Sequence, residues 1–429
     1  MVLSILLWEF LSGGGMLKEN LPPSLLCEGI AMLRAIARDL TRAGFSVVIP
    51  LDLRLISLTN WLPGAEIKPV NQTEELVDIL QQQACKAGNF FIISPESDDI
   101  LLTYTQLLEK CGQNWGCSSE FIRIFGDKWE TWNYLHAKNI PMPRTWLIPE
   151  DSQADGLQDS FDIDIDDTLV IKPASGAGAG GIFTCSGHAF NNPAFRESLV
   201  ANLNGKRYLI QEFIPGQAYS ANFAVVGGEI HLLCVNEQLI TLSTSLGTES
   251  TYLGGISPAQ SILANISFNA LEYELQELIQ ALPSPQSGFF GVDFTCDADG
   301  KFYVIEVNAR LTTSYITLAP VTARNPAALL LGQKPLSLEQ VLLSSPRVAY
   351  YRKLFIPSRQ EFPFPLNNAL SIVGYIRDYP DFYACPPLLD SNRNLAAFIS
   401  VVGPDCGEVR RLYNSAREHF YNLDEGKTQ

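Results

Sequence analysis

Residues 288–310 constrain the fold more than any other stretch, because they combine a β-hairpin pattern with carboxylates inside apolar strands. Two runs rich in Phe, Val, Ile and Tyr flank Asp299-Gly300, and an Asp-Gly pair in this setting is a strong hairpin signal. With these two residues as the turn, Glu306 lies opposite Asp293 and both carboxylates point the same way. Alternation puts two more polar side chains on that face, Asn308 and Arg310. Four residues of the opposite face are predicted to be buried, Val292, Phe294, Ile305 and Val307.

The paired carboxylates predict a metal site. An unpaired carboxylate inside an apolar run is costly, so Asp293 and Glu306 each need a partner. Together with the amide of Asn308 they suit a hard cation such as Mg²⁺ or Mn²⁺, which completes its shell with phosphate and water. The alternative is a surface hairpin with acidic turn residues, a description that fits Asp297 and Asp299.

Composition limits the classes of partner. A net charge of -16 and a pI near 4.7 argue against nucleic acid or an anionic membrane. No segment approaches the roughly 18 uninterrupted apolar residues of a membrane span, and residues 1–10 are predicted to be a buried strand instead of a signal peptide. Nine scattered cysteines without a Cys-x-x-Cys pair indicate reduced thiols and a cytoplasmic location. The four histidines are isolated, which gives a zinc site or a histidine triad little basis.

Strands that alternate with helices predict a small, mostly parallel α/β domain over residues 1–120. Apolar residues recur at helical spacing over 26–40 and 73–85, whereas 45–51 and 89–94 read as strands.

A glycine run, Gly13, Gly14 and Gly15, follows the first strand, where open α/β sheets place their binding crevices. Two interpretations stay open: the glycines let a ligand approach the backbone, or they form a plain flexible turn. Glu9 and Glu28 border the run and are candidates to meet a substrate amine.

A buried lysine and a glycine-rich loop follow in the middle of the chain. The predicted strand 168–173 carries Lys172 among apolar residues, where its charge needs an anionic partner such as phosphate. The next residues match G-x-G-x-x-G but lead into another strand and lack a Lys-Ser/Thr pair, so neither a dinucleotide fold nor a Walker loop fits. Such a loop folds over phosphates with its backbone N–H groups. The predicted phosphate-binding residues of this loop are Ser175, Gly176, Gly178, Gly180 and Gly181.

Further strands are predicted over 207–214, 219–226 and 229–235, and a helix over 268–282. The polar residues 236–258 read as a long loop, either a lid or disordered. Residues 331–429 read as a small β-rich extension that packs on the preceding domain and carries no catalytic signal.

The order of these motifs resembles the ATP-grasp superfamily of carboxylate–amine ligases. The matching pieces are 125–128, 170–173 with its glycine loop, 211–214, and the three metal-site residues, whose separations of thirteen and two residues D-alanine–D-alanine ligases share. The resemblance implies an α/β (α+β) chain with a Rossmann-like pre-ATP-grasp domain at 1–120, an ATP-grasp domain at 121–330, and the extension at 331–429.

The resemblance also assigns roles. Lys128 and Lys172 contact ATP phosphates, Arg310 lies beside the transferring phosphoryl group or the acyl oxyanion, and Lys172 and Arg310 are the predicted catalytic residues. Ala218 stands where many members carry an acidic residue for the ribose. The hinge strand under the adenine comprises Gln211, Glu212, Phe213 and Ile214, and Mg²⁺ is held by Asp293, Glu306 and Asn308.

Within the superfamily the chain is most similar to the tyramine–L-glutamate ligase group of methanofuran biosynthesis, on residues 9–15, 24–29, 236–238 and 252–255. This implies an acyl phosphate on the γ-carboxyl of L-glutamate, attack by an amine such as tyramine, and three further substrate residues, Asn236, Gln238 and Tyr252. The alternatives are a pyrrolysine-pathway-like or peptide-forming ligase, a kinase-like enzyme that stops at a phosphorylated product, and a non-catalytic nucleotide-binding scaffold. The oligomeric state stays open between monomer and homodimer.

Overall fold

The computed structural model describes residues 2–62, 64–150, 157, 161–176, 179–203, 205–248, 250–283, 287–356, 371–372, 382–389 and 394–424. These residues form a five-stranded, a four-stranded and a nine-stranded sheet with helices packed on them. Among them no helix is both long and apolar enough to cross a membrane.

The first sheet is parallel, as predicted, with strand order β3-β2-β1-β4-β5. Its longest helix, α1, buries an apolar face built from its regular Leu, Ile and Ala spacing. The elements are β1 (Ser4–Glu9), α1 (Pro23–Arg42), β2 (Ser46–Asp52), β3 (Ala65–Val70), α2 (Thr73–Ala87), β4 (Asn89–Ile93), α3 (Ile100–Leu108) and β5 (Gln113–Asn114), with 3₁₀ turns at Leu53–Trp61 and Ser97–Asp99.

The second sheet is antiparallel, with order β6-β9-β7-β8. Strands β7 and β8 form a hairpin whose connection is the glycine-rich loop. The elements are α4 (Ser119–Phe125), α5 (Lys128–His136), β6 (Thr145–Ile148), β7 (Thr168–Pro173), β8 (Phe183–Ser186), α6 (Gly187–Phe190), α7 (Pro193–Leu203) and β9 (Tyr208–Glu212).

The third sheet is antiparallel, with order β14-β13-β10-β11-β12-β15-β18-β17-β16. Its elements are β10 (Gln217–Val226), β11 (Glu229–Thr241), β12 (Thr251–Ser257), α8 (Phe268–Ala281), β13 (Gly288–Cys296), β14 (Phe302–Asn308), α9 (Leu318–Thr322), α10 (Leu338–Leu342), β15 (Val348–Ile356), β16 (Ser371–Ile372), β17 (Tyr383–Leu389), β18 (Leu395–Gly403) and α11 (Cys406–Asp424), with 3₁₀ turns at Gln260–Ala264, Thr313–Thr317 and Pro326–Leu331.

The β13–β14 hairpin reaches the predicted pairing by a different route. Asp293 lies opposite Glu306 as expected, but the turn holds one residue more, so that Cys296 pairs with Phe302. A bulge beside Asp293 shifts the register back. The prediction that Ile305 is buried with Val307 is therefore wrong: Ile305 is half-buried and faces the cavity described below.

The prediction of a loop over 236–258 is also wrong. Strand β11 continues to Thr241 and pairs with β12, so most of this stretch is a hairpin. The polar residues are accommodated because they bond one another: the amide of Asn236 donates to Asn222 Oδ1 at 2.7 Å, and its carbonyl accepts from Ser257 Oγ at 2.6 Å. Gly255 admits the Tyr351 ring, since a Cβ there would lie 2.6 Å from its hydroxyl.

The C-terminal region is β-rich, as expected, but its strands continue the third sheet instead of forming a separate layer. Strand β15 pairs with β12 on one side and with β18 on the other. Helix α1 packs against β17 and β18, and Arg34 donates to the carbonyl of Tyr383 at 2.6 Å. This region thereby contacts helix α1 of the N-terminal domain and extends the antiparallel sheet that carries the acidic hairpin.

Candidate active site

All three sheets meet around one cavity of about 730 Å³. Its wall combines α1 and the ends of β1 and β4 with strands of both antiparallel sheets. Most of the predicted site residues line it, namely Glu9, Glu28, Lys172, Gln211, Glu212, Phe213, Ile214, Gln238, Tyr252, Asp293, Glu306, Asn308 and Arg310.

The acidic hairpin contributes a compact polar cluster to this wall. Asp293 accepts from the amide of Gln238 at 2.9 Å and from that of Asn308 at 3.1 Å. Burial and the adjacent charge of Glu306 raise the pKa of Asp293 to about 8. In the absence of a cation, a proton therefore offsets one of the two negative charges at neutral pH.

Two lysines balance the other carboxylate. Lys128 Nζ lies 3.2 Å from Glu306 Oε2, and Lys172 is almost fully buried nearby. Burial favours the neutral acid, but the charges of Lys128 and Lys172 prevail and lower the pKa of Glu306 to about 2. Burial also lowers the pKa of Lys172 to about 8, against the charge of Glu306. Lys172 and Arg310 thus lie at the same wall as Asp293 and Glu306, whereas Lys128 contacts Glu306 without lining the cavity. This mixture of cations and carboxylates suits an anionic ligand accompanied by a metal ion.

The donor set of the hairpin fits Mg²⁺. Two carboxylates and one amide provide oxygen ligands, and a cation would relieve the repulsion that keeps Asp293 protonated. Across the described part of the chain, no group of three or more His, Cys, Asp or Glu side chains is arranged to hold a metal. The cluster therefore suits an ion that takes its remaining ligands from phosphate and water.

The glycine-rich loop lies against Lys128. The Lys128 ammonium donates to the carbonyl of Gly176 at 2.9 Å, and its backbone N–H donates to that of Ala174 at 2.7 Å. Gly181 takes a left-handed φ of 71° where the loop enters β8. Ala179 lines the cavity, whereas four predicted residues, Ser175, Gly176, Gly180 and Gly181, do not. Gly178 lies outside the described residues.

Two residues of the predicted hinge, Gln211 and Glu212, lie at the end of β9 and bond to neighbouring side chains. Gln211 accepts from Lys172 Nζ at 2.9 Å and donates to Thr145 Oγ1 at 2.9 Å, so its amide orientation is determined. Glu212 pairs with Arg144 at 3.1 Å. The Glu212 carboxylate therefore bonds within the protein, and its neighbours present mainly the apolar side chains of Phe213 and Ile214 to the cavity.

A glutamate that the sequence analysis missed holds Arg310. Glu96 Oε2 lies 2.9 Å from Arg310 Nε, and both side chains are largely buried. Arg310 also donates to Asn308 Oδ1 at 3.4 Å and to the carbonyl of Leu311 at 3.3 Å. Glu96 follows β4, and the carboxyl end of a parallel strand is where ligand-binding residues are expected, so this signal was present in the sequence.

The glycine run after β1 is a packed turn. Glu9 accepts from the backbone N–H of Ser12 at 2.7 Å and from that of Leu11 at 3.2 Å, so its carboxylate organises the turn. A Cβ on Gly13 or Gly15 would lie within 2.4 Å of the ring of Trp8 or Phe10, respectively. Gly13, Gly14 and Gly15 lie behind the wall, which favours the turn interpretation over close ligand approach.

The remaining candidate residues lie either on the wall of the cavity or in the interior of the protein. Glu28 is on the wall and pairs with Lys353 at 2.6 Å. Tyr252 is on the wall too, and its hydroxyl lies 3.3 Å from that of Tyr351. Asn236 is fully buried in the strand network described above and does not reach the cavity.

Two family profiles match this architecture. One described as an ATP-grasp domain matches residues 125–314, and one described as a pre ATP-grasp 3 domain matches residues 45–122. The first range contains the two lysines, the hinge and the acidic hairpin.

Two curated proteins are similar in sequence to this chain over more than half of its length. Tyramine–L-glutamate ligase from Methanocaldococcus jannaschii is 29% identical over 254 residues, 58% of this chain and 64% of that protein. The protein of the same name from Methanocaldococcus fervens is 29% identical over 244 residues, 56% of this chain and 64% of that protein. This chain thus spans 64% of the length of either relative.

Solved structures share the fold over nearly the whole chain. An ATP-grasp superfamily protein from Archaeoglobus fulgidus has a TM-score of 0.59 at 21% identity and covers 93% of this chain and 99% of its own. The L-amino acid ligase from Bacillus licheniformis has a TM-score of 0.62 at 16% identity, with 98% and 97% covered.

Proposed function

Because the chain belongs to the ATP-grasp superfamily, we propose that it is an ATP-dependent, ADP-forming ligase that joins a carboxylate to an amine. The observation that carries this proposal is that Lys172, Asp293 and Glu306 line one cavity, with Lys128 paired to Glu306 at 3.2 Å. Phosphoryl transfer needs positioning and charge neutralisation more than a protein nucleophile, and this cluster supplies both.

The reaction has two steps. An oxygen of the substrate carboxylate attacks the γ-phosphorus of ATP, the bond to the β–γ bridging oxygen breaks, and ADP leaves an acyl phosphate. The amine nitrogen then attacks the acyl carbon, the carbon–oxygen bond to phosphate breaks, and an amide and inorganic phosphate form as the nitrogen loses a proton.

The protein's part is electrostatic. Lys128 and Lys172 neutralise phosphate oxygens, and Arg310, held by Glu96, faces the cavity where the acyl oxygen develops charge. Asp293, Glu306 and Asn308 would hold Mg²⁺, which supplies further charge neutralisation on the phosphates when bound.

For the substrates we propose L-glutamate, through its γ-carboxyl, and an aromatic amine such as tyramine. The support is the identity of 29% to tyramine–L-glutamate ligases. The wall beside Glu28 also carries the apolar side chains of Leu25, Met32 and Met16, which suit an aromatic or aliphatic body.

ADP release by purified protein with Mg²⁺-ATP and L-glutamate, with and without tyramine, tests this proposal. Release that requires both substrates, with the amide detected by mass spectrometry, is the expected result. Release with glutamate and a different amine would keep the ligase and discard tyramine. Tight ATP binding without ADP release over a broad panel of acids and amines would contradict catalysis altogether.

A further inference from the structure

A buried ion pair joins the cavity wall to the C-terminal region. Glu28 Oε1 on α1 lies 2.6 Å from Lys353 Nζ on β15, and the two side chains are only 14% and 9% exposed. Glu28 lines the cavity, whereas Lys353 lies behind it. Residue 353 is outside both family-profile matches, which end at 122 and 314.

Stability alone gives little reason for such a pair. Removing two charges from water costs roughly what their attraction returns, and apolar residues of similar size often serve as well. The pair does fix a carboxylate on the wall, because Lys353 occupies one oxygen and balances its charge. Among the described residues, the other oxygen, Oε2, has one long contact, at 3.5 Å from Thr313 Oγ1.

The surroundings of this carboxylate define its ligand. Leu25, Glu28, Gly29 and Met32 line the cavity at helical spacing on one face of α1, and Met16 lines it too. The carboxylate of Glu9 lies against Gly29, where a Cβ would be 2.6 Å from Glu9 Oε1. A fixed carboxylate beside apolar side chains suits an ammonium group attached to an apolar stem. It disfavours a second carboxylate at the same place.

We propose that Glu28, oriented and charge-balanced by Lys353, binds the ammonium group of a substrate, so that residues 331–429 take part in substrate selection. This inference rests on the proposed ligase function. The ammonium comes from either of two sources, the α-amino group of the acid substrate or the amine substrate. Lys353 is a positioning residue, since it reaches the substrate only through Glu28.

Two ligand pairs that differ in the ammonium group alone separate these sources. L-Glutamate is compared with glutarate, and tyramine with 4-ethylphenol. Binding of each is measured by calorimetry to the full chain with Mg²⁺ and a non-hydrolysable ATP analogue. The wild type should bind the ammonium member of one pair about tenfold to a hundredfold more tightly, and that pair names the source.

Glu28→Gln and Lys353→Met should both reduce this preference to less than about threefold. The first removes the carboxylate charge, and the second removes the partner that orients the carboxylate. Lys353→Arg keeps the charge and should restore most of it. Lys334→Met is the matched control, since Lys334 is an exposed lysine of the same region, and it should bind like the wild type. Circular dichroism establishes that each variant is folded, and Glu28→Gln carries the test if Lys353→Met is not.

A wild type without preference in either pair, or a preference that survives Glu28→Gln, would overturn the subsite. If Glu28→Gln loses the preference for the ammonium-bearing ligand but folded Lys353→Met keeps it, the C-terminal region takes no part in substrate selection. ADP release is scored separately. Binding preference without ADP release over the substrate panel refutes the ligase proposal, whereas ADP release without any preference refutes the subsite alone.

Discussion

Replacing Glu96 by Gln should loosen Arg310 and thereby slow catalysis without weakening ATP binding. The two side chains are 5% and 12% exposed and their charged atoms are 2.9 Å apart. Breaking a buried ion pair by removing one partner typically costs roughly 3–5 kcal/mol. Glutamine keeps an acceptor for Arg310 Nε, and Arg310 keeps its contacts with Asn308 and Leu311, so we expect about 2–3 kcal/mol of lost stability.

Urea unfolding measures this loss, and Glu66→Gln provides the control. Glu66 forms an equally direct pair with Lys68 at 2.6 Å, but at the surface, so its removal should leave the free energy of unfolding unchanged. In steady-state assays, Glu96→Gln should lower kcat about tenfold to a hundredfold, because a guanidinium displaced by about 1 Å stabilises the transition state poorly. The KM for ATP should stay within about twofold, since the lysines are untouched.

A double-mutant cycle with Arg310→Met separates this pair from indirect effects. If the two side chains act on each other, the double variant should lose about 1–3 kcal/mol less than the sum of the single variants. Additive losses, or a Glu96→Gln enzyme with unchanged kcat, would refute the claim that Glu96 positions Arg310.

Three further predictions concern the cluster and the thiols. Lys172→Met should lower ADP release at least about a hundredfold while the circular dichroism spectrum stays unchanged, because it removes the buried lysine that we propose neutralises phosphate. In EDTA, the free energy of unfolding should fall as pH rises from about 4 to about 8: the folded state raises the pKa of Asp293 to about 8 and keeps a proton that the unfolded chain releases near pH 4. Asp293→Asn should flatten that slope in urea titrations. Finally, a thiol reagent should modify the exposed Cys85 and Cys406 first, and buried thiols such as Cys27, whose pKa burial raises, only on unfolding.

Each of these three predictions has a specific result that would contradict it. Near wild-type ADP release by Lys172→Met would remove that lysine from the phosphate site. An equal change in the free energy of unfolding between pH 4 and 8 in wild type and Asp293→Asn would contradict the raised pKa of Asp293. Rapid labelling of Cys27 in the folded protein would contradict its burial on α1.

Much of the fold could be predicted from the spacing of apolar residues along the sequence. The period of the apolar residues located α1, β7 and the acidic hairpin, because burial there follows directly from helix and strand geometry. The pairing of Asp293 with Glu306 was predicted correctly although its route was not, since the larger turn and the bulge shift the register in opposite directions. The sequence could not reveal this compensation, and Ile305 was misplaced for that reason.

Contacts between residues that are far apart in sequence could not be predicted. Asn236 reads as a loop residue because its side-chain hydrogen-bond partners, Asn222 and Ser257, lie 14 and 21 residues away in sequence. Lys353 lies 325 residues from Glu28, and no local pattern connects them. Glu96 was not predicted as a site residue because it lies in an acidic segment that resembles a solvated loop. Its position just after β4 was nevertheless a signal for a ligand-binding residue.

The proposed ligase function depends on one step, the activation of a carboxylate by ATP as an acyl phosphate in this cavity. The most direct measurement follows an oxygen label from L-glutamate carrying ¹⁸O in its carboxyl groups, in the presence of Mg²⁺-ATP and tyramine. Because the bridging oxygen of an acyl phosphate leaves with the phosphorus, we expect inorganic phosphate that carries one labelled oxygen. Unlabelled phosphate released alongside the amide would contradict it.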